Sequence, residues 1–275
     1  MFELTLSNDK SKYNFMEFVY AKLKNHVDNS KGLIIFEEMD ERLIISLAVP
    51  EKEKEFYKAF ALELVSEIII MDYKYEYIKN NLQMYTSNKV LWTAFLKALT
   101  VFDKDTDRDL IKKNLVFTNE LLIDSSFHFK MHEVKERWRE IVSLVGENLA
   151  GLVSRDGFVD LMKFLIAASE PEADTVYVKN CKNKPQIMIN EYKIARNLCF
   201  FEENVENDVR ILSELVCLCP NKIVVSLDDK NNENLIEYIK NIFEGKVHLA
   251  IDLKSNSNYL KSVDNETNVV YNTKQ

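Results

Sequence analysis

Residues 157–178, Gly157-Phe-Val-Asp-Leu-Met-Lys-Phe-Leu-Ile-Ala-Ala-Ser-Glu-Pro-Glu-Ala-Asp-Thr-Val-Tyr-Val178, contain an apolar helix, a breaker and a strand in that order. The helix is predicted over Phe158–Ala168, and apolar residues on nearly all of its sides indicate that it is buried. Pro171 disfavours helical backbone at the residue before it and therefore ends the helix. The strand follows at Thr175–Val178. This stretch is predicted to join a mostly helical first part of the chain to a second part in which strands and helices alternate.

The part of the chain before this stretch is predicted to be helical after a short mixed start. A strand, a helix up to about Asn25 and a hairpin form a small β-α-β-β unit at the N-terminus. Its strands are predicted at Phe2–Leu6, Leu33–Glu37 and Leu43–Val49. Apolar residues then recur at helical spacing from Glu51 to Phe117 and from Glu133 to Val153. This pattern predicts a central helical block.

The part of the chain after this stretch is predicted to contain a parallel pair of strands. Thr175–Val178 and Ile187–Ile189 fit a hairpin. A strand at Ile223–Leu227, a helix at Asn234–Glu244 and a strand at Val247–Ile251 follow, and this order is typical of a parallel pair with a right-handed crossover. The predicted fold class is therefore α+β and helix-rich. It has an N-terminal β-α-β-β unit, a central helical block and a C-terminal α/β unit with a parallel β-α-β pair.

Changes in these patterns divide the chain into four predicted segments. They are a small α/β unit at 1–50, a helical domain at 51–170, an α/β domain at 171–253 and a polar tail at 254–275. The tail is rich in Asn, Ser, Lys and Thr and is expected to be loose. The sequence leaves open whether the two β regions share one sheet.

Charge and composition disfavour several classes of function. The 275-residue chain has a formal net charge of -8 and a pI of about 5.3. Neither nucleic acid nor a membrane surface is expected as a partner, because both require a basic face. No apolar run approaches the ~18 residues of a membrane span, and the N-terminus lacks the pattern of a secretory signal. A cytoplasmic protein with four reduced cysteines is therefore predicted.

Three aspartates form the strongest candidate for a chemical site. Asp228 and Asp229 follow the first strand of the predicted parallel pair, and Asp252 follows the second. Open α/β sheets bind ligands at the carboxyl ends of such strands, and carboxylates there could hold Mg²⁺ against a phosphate. The same residues are ordinary in a solvated turn and helix cap, and no glycine-rich phosphate loop accompanies them. The turn is the preferred interpretation, and the metal site is kept as the alternative.

Other clusters of possible metal ligands favour structural interpretations. Four aspartates alternate over residues 103–109, but Arg108 and Asn114 stand where a calcium loop needs Gly and Glu. Acidic residues are favoured at the start of a helix, which explains this cluster better. His128 and His132 could share a helix face, but no third ligand accompanies them. No nucleophile elbow, Walker loop, dinucleotide fingerprint or CxxC pair is present, so no catalytic residue and no cofactor is predicted.

Three patterned blocks point to a known family. They are Leu122-Ile-Asp-Ser-Ser-Phe-His-Phe-Lys-Met131 running into Val134–Trp138, the stretch Phe158–Val178, and Asn207–Val225 followed by Leu235–Val247. Together they resemble the YtxC-like family of predicted sporulation proteins from endospore-forming Firmicutes, over roughly residues 115–252. The resemblance implies a cytosolic protein associated with sporulation, and it assigns no activity to any residue.

The expected function combines this resemblance with the lack of an assembled chemical site. Many well-patterned helices without a catalytic signature favour a non-enzymatic interaction or regulatory protein that binds protein partners. The alternative is a Mg²⁺-dependent enzyme that handles a phosphate or nucleotide with Asp228, Asp229 and Asp252.

Overall fold

The computed structural model describes residues 1–28, 31–84, 86–151, 155–181, 184–189, 192–193, 205–227 and 229–250. The helices are α1 (Tyr13–Lys24), α2 (Lys54–Ile68), α3 (Tyr75–Asn81), α4 (Lys89–Val101), α5 (Lys104–Asn114), α6 (Ile123–Lys130), α7 (His132–Gly151), α8 (Arg155–Ala167), α9 (Asn207–Leu218) and α10 (Asp229–Ile242). A π-helical segment, Ile69–Lys74, connects α2 to α3. The strands are β1 (Phe2–Asp9), β2 (Leu33–Met39), β3 (Arg42–Val49), β4 (Glu120–Leu122), β5 (Thr175–Cys181), β6 (Lys184–Ile189), β7 (Tyr192–Lys193), β8 (Lys222–Ser226) and β9 (Val247–Leu249).

Contacts between residues group the chain into two compact units. The first consists of Met1–Gln83 and Asp103–Glu147, and the second of Met84–Phe102 and Asn148–Gln275. Helix α4 belongs to the second unit because it packs against α8 and α9. These limits differ from the four segments predicted from sequence, since local patterns do not reveal which distant helix a given helix contacts.

The first unit contains a four-stranded sheet with the order β2-β3-β1-β4. Strands β1, β2 and β3 are antiparallel, and β4 lies at the other edge, parallel to β1. Apolar side chains alternate along β1 and β3 and are buried on one face, as the sequence pattern predicts. They are Phe2, Leu4, Leu6, Leu43, Ile45, Leu47 and Val49. Helix α1 packs against β2 and β3, and α6 packs against β1.

The hairpin predicted in the first fifty residues is present. A two-residue turn at Asp40 and Glu41 joins β2 to β3, and Asp40 has a φ of 51°. Hairpin turns of this length require left-handed backbone, which aspartate tolerates better than most residues. The strand pairing at β4 was not predicted, because three residues are too few to produce a visible alternation.

The second unit contains a five-stranded mixed sheet with the order β7-β6-β5-β8-β9. Strands β5 and β6 form the predicted antiparallel hairpin. Strand β8 is parallel both to β5 and to β9, and α10 connects β8 to β9. The parallel β-α-β pair is thereby confirmed, as is the α+β, helix-rich fold class. The two β regions form separate sheets.

Helix α8 contributes one face to the core of the second unit. Phe158 lies 4.8 Å from Phe95 of α4 between ring centroids, and Met162, Leu165 and Ile166 are buried. Phe164 on the opposite side is 63% exposed. The expectation that this helix is buried on nearly all sides is therefore corrected to burial on one face, because a helix at the edge of a unit contacts other elements on one side only.

The cysteines and the length of the helices test two expectations drawn from composition. Cys181 and Cys219 carry reduced thiols, and Cys219 Sγ donates to the Val216 carbonyl oxygen at 2.9 Å, but Cys217 is disulfide-bonded, so the expectation of four reduced cysteines is wrong at Cys217. Among the helices that are described, none has both the length and the apolar character required to cross a membrane.

Candidate interaction surface

The aspartates of the predicted magnesium site fall where side chains are not described. Asp228 and Asp252 lie outside the described residues, and Asp229 is the first residue of α10 with its side chain outside the described part. The magnesium site therefore stays a prediction. Within the described residues, no three His, Cys, Asp or Glu side chains are grouped so that they could hold a metal ion. His128 and His132 are both exposed to solvent.

Helix α6 is attached to the first sheet by an ion pair between Arg42 and Asp124. The Arg42 guanidinium donates to the two carboxylate oxygens of Asp124 at 2.7 and 2.9 Å, and its Nε donates to Ser7 Oγ at 3.0 Å. Such a bidentate pair fixes direction as well as distance. The hydrogen bond to Asp124 raises the pKa of Arg42. Burial alone would raise the pKa of Asp124, but hydrogen bonds from Arg42 and from the Ser125 backbone lower it below its ordinary value.

Replacement of Asp124 by asparagine is expected to destabilise the protein near neutral pH by about 1 kcal/mol, since both partners are half-buried. Asp124 titrates in the folded protein below its unfolded value of 3.8. Its contribution is thus fully present above that value and is lost as the pH falls through the lower folded pKa. Urea unfolding of wild type and Asp124→Asn across this range should show a stability difference that shrinks in acid.

The matched control is Glu136→Gln, whose carboxylate forms an exposed pair with Arg139 at 2.6 Å. This substitution should change stability by only a few tenths of a kcal/mol, because solvent screens exposed pairs. A difference between wild type and Asp124→Asn that stays constant down to acid pH would contradict the assignment of the lowered pKa to the Arg42 pair.

Three aromatic rings, here called the aromatic column, connect α6 to the π-helical segment and to α7. Phe127 of α6 lies 4.5 Å from Tyr73 and 5.9 Å from Trp138 between ring centroids. Tyr73 Oη donates to Asn8 Oδ1 at 2.8 Å, and burial raises the pKa of Tyr73. Lys135 Nζ lies 4.7 Å from the Phe127 ring centroid. Aromatic pairs contribute about 0.5–1.5 kcal/mol each beyond their buried area, so the column holds α6 in place.

A buried ion pair lies in the same unit as the aromatic column. Lys74 Nζ is 2.6 Å from Asp107 Oδ2, and both side chains are 0% exposed. Arg137 Nε lies 3.4 Å from Asp107 Oδ1, and the Arg137 guanidinium also pairs with Asp103. Burial lowers the pKa of Lys74 although the Asp107 carboxylate opposes this shift. Lys74 ends the π-helical segment, every residue of which is buried, so this wide turn places an ammonium group inside the unit.

A groove of about 460 Å³ opens beside α6. It is lined by the loop Val116–Thr118, by β4 and by residues of α6. Lys130 Nζ donates to the Val116 carbonyl oxygen at 3.3 Å and so connects the loop to α6. We call this feature the α6 groove.

The rim of the α6 groove carries large apolar side chains in contact with solvent. Phe129 is 78% exposed, Val116 is 75% exposed and Leu122 is 41% exposed. Exposed apolar side chains are common when they occur singly, but three around one concave surface are typical of a site that binds another molecule. Of the lining residues described, the ionisable ones are Glu120 and Lys130, and the lining includes no histidine or cysteine.

The model of the YtxC-like family matches residues 54–248, which is more than half of the chain. The chain belongs to the YtxC-like family. The resemblance noted in three sequence blocks is thereby confirmed, and it extends further toward the N-terminus than those blocks. No curated protein and no solved structure matches this YtxC-like protein. The matched region begins at α2, so it includes the α6 groove and the aromatic column and leaves out β1, β2 and β3.

Sequence reasoning did not find the α6 groove. The sequence of the segment from Phe127 to Met131 predicts side chains that pack in the core at the start of α7. This prediction is correct for Phe127 and Met131, which are buried, and wrong for Phe129, which is exposed. The spacing of Phe127 and Phe129 was an available signal. Two residues that are two apart on a helix point to different sides, so they cannot both be buried in a helix with one buried face.

Proposed function

We propose that this YtxC-like protein is a cytoplasmic, non-enzymatic interaction protein associated with sporulation, and that a protein partner binds in the α6 groove. The observation that carries this proposal is the exposed apolar rim formed by Val116, Leu122 and Phe129. Burial of apolar surface is worth roughly 25 cal/mol per Å², so covering this rim would provide a substantial part of a binding energy.

The neighbouring strand favours an extended segment of the partner. Strand β4 is at the edge of the first sheet, and β1 is its neighbour on the other side. An edge strand offers backbone N–H and C=O groups that an incoming extended chain can pair with, while apolar side chains of that chain enter an adjacent groove. We therefore propose that the partner contributes an extended segment with apolar side chains.

Replacement of Phe129 by aspartate is expected to weaken partner binding by roughly 30-fold, the effect of losing a central aromatic contact worth about 2 kcal/mol. The partner would be captured from sporulating cells with the wild-type chain, identified by mass spectrometry and purified. Its affinity for the two chains would then be compared by titration. In the cell, a deletion of the gene should impair spore formation, and the Phe129→Asp chain should fail to restore it.

Phe164→Asp provides a matched control, because Phe164 is also a largely exposed phenylalanine on a helix, in the second unit. This variant should bind the partner and restore sporulation as wild type does. Val116→Asp, in the loop that lines the α6 groove, should reproduce the Phe129→Asp defect. The proposal would be wrong if the deletion strain sporulated normally, or if both groove variants bound the partner and restored sporulation as wild type does.

A further inference from the structure

The described helices of the second unit lie on one side of its sheet. Helices α9 and α10 contact each other, and α9 also contacts β6, so both lie over the same face. Helices α4 and α8 pack against this pair. The sheet side chains beneath the helices are at most 3% exposed, and they are Val176, Val178, Ile187, Ile223 and Val225. The opposite face is therefore the one that can meet another molecule.

The strand pairing determines which side chains lie on this opposite face. Successive residues of a strand point to alternate faces, and residues opposite each other in paired strands share a face. Tyr177 of β5 lies opposite Met188 of β6 and Val224 of β8, and Val224 lies opposite His248 of β9. The same alternation places on this face Thr175, Lys179 and Cys181 of β5, Lys184 and Gln186 of β6, and Lys222 and Ser226 of β8. All of these side chains except Val224 are at least partly exposed to solvent, and we call them the open face.

The open face is basic, although the whole chain has a net charge of -8. It carries Lys179, Lys184 and Lys222, and its side chains include no carboxylate. Among the described residues, none of these three lysines has an ion-pair partner. The expectation that no nucleic acid binds was drawn from the total charge, whereas an anionic ligand responds to the charge of the face that it contacts.

An aromatic ring lies at the centre of the open face. Tyr177 is in β5, the middle strand of the sheet, and Lys179 Nζ lies 4.8 Å from its ring centroid. Lys222 is opposite Thr175, so positive charges lie on both sides of Tyr177 along the strand. Single-stranded nucleic acids combine phosphates with unpaired bases that stack on aromatic side chains. A duplex hides the faces of its bases, and an acidic peptide has no bases, so neither uses both features.

We propose that the open face binds single-stranded RNA, with a base stacked on Tyr177 and with the neighbouring phosphates paired with the three lysines. Thr175, Gln186 and Ser226 add hydroxyl and amide groups that donate and accept hydrogen bonds. A ribose 2′-hydroxyl also donates and accepts, so these groups favour RNA over DNA. The open face belongs to the second unit and the α6 groove to the first, so this proposal is independent of the proposed function.

The test is fluorescence anisotropy with a labelled oligouridylate of about ten nucleotides at low salt. Wild type should bind it with a Kd on the order of 10 μM or tighter. Tyr177→Ala should weaken binding roughly tenfold, whereas Tyr177→Phe keeps the ring and should bind as wild type does. Lys179→Gln and Lys222→Gln should each weaken binding about fivefold. Each should also make the slope of log K against log salt shallower by about 0.7, the contribution of one phosphate contact.

Matched controls change the same residue types elsewhere in the chain. Lys240→Gln on α10 and Phe164→Ala on α8 alter an exposed lysine and an exposed phenylalanine of the same unit, and both should bind as wild type does, as should Phe129→Asp. Thermal unfolding should show that every variant is folded.

Ultraviolet crosslinking of the bound oligouridylate to the wild-type chain locates the site without any variant. The crosslinked peptide should contain Tyr177. An oligodeoxyuridylate of the same length, duplex RNA and polyglutamate should each bind several-fold more weakly than the oligouridylate. The proposal is overturned if wild type does not bind the oligouridylate, if Tyr177→Ala binds as tightly as wild type, or if the crosslinks lie outside the second sheet. Equal or tighter binding of any of the three competitors overturns it as well.

Discussion

Replacement of Asp107 by alanine is expected to lower the free energy of unfolding by about 3–5 kcal/mol. The substitution leaves the Lys74 ammonium inside the first unit with 0% exposure and without the carboxylate that lies 2.6 Å from it. It also leaves Arg137 near a second positive charge, which adds repulsion. Urea unfolding followed by circular dichroism would measure the loss as a lower midpoint with an unchanged slope.

Two companion variants isolate the cause of this loss. Asp105→Ala on the same helix removes an exposed carboxylate that pairs with Arg108, and it should change stability by no more than about 1 kcal/mol. The double variant Lys74→Met/Asp107→Leu removes both buried charges and should be clearly more stable than Asp107→Ala. If Asp107→Ala were no more harmful than Asp105→Ala, the buried pair would have no structural role.

Replacement of Trp138 by alanine is expected to cost about 3–5 kcal/mol as well, through the cavity left by a 0% exposed side chain. The loss should also reach the α6 groove. Phe127 loses its stacked neighbour in the aromatic column and no longer holds α6 in position. Trp138→Ala should therefore weaken partner binding even in the absence of urea, where the variant chain is folded. Chemical unfolding and binding titration of the same sample would measure both effects.

Trp138→Phe is the informative comparison. It keeps an aromatic ring in the column and removes the indole N–H, which has no hydrogen-bond acceptor among the described residues. A buried donor without an acceptor costs about 1–3 kcal/mol, so its removal offsets part of the lost packing. The loss of stability should be well below that of Trp138→Ala. The exposed Phe129→Ala should change stability by less than about 0.5 kcal/mol, and equal losses in all three variants would rule out a specific role for the column.

Trp138 belongs to the interior that supports the α6 groove. The ion pair Arg42–Asp124 attaches α6 to the sheet, and the aromatic column attaches it to α7 and to the π-helical segment. A binding surface is most effective when its elements are already fixed before the partner arrives, because less conformational entropy is then lost on binding. Buried residues away from the groove are therefore expected to influence affinity without contacting the partner.

Local patterns in the sequence predicted most of the secondary structure. The β2–β3 hairpin followed from two alternating segments separated by a short turn, and the parallel pair β8–β9 followed from a strand–helix–strand order. Most of the helices followed from apolar spacing, with the exception of α6, and Pro171 marked the end of α8. Each of these features depends on residues that are close together in the sequence, so the sequence displays them directly.

The candidate site could not be predicted in the same way. Strand β4 has only three residues and is recognisable only from its pairing with β1. The exposed position of Phe129 depends on which side of α6 faces the sheet, and that side is selected by Arg42, which lies 82 residues from Asp124. The predicted magnesium site at Asp228, Asp229 and Asp252 stays a prediction, as does the role of the protein in sporulation.

By itself, the sequence determined the type and order of most elements, the helix-rich α+β class and membership of the YtxC-like family, since all of these depend on residue patterns along the chain. Only the tertiary structure decided that α4 joins the second unit, that Lys74 meets Asp107, and that apolar residues remain exposed around the α6 groove and along β2. The physical reason is that burial results from contacts between distant segments. A periodic pattern shows that a helix or strand has an apolar face, but not whether another part of the chain covers it.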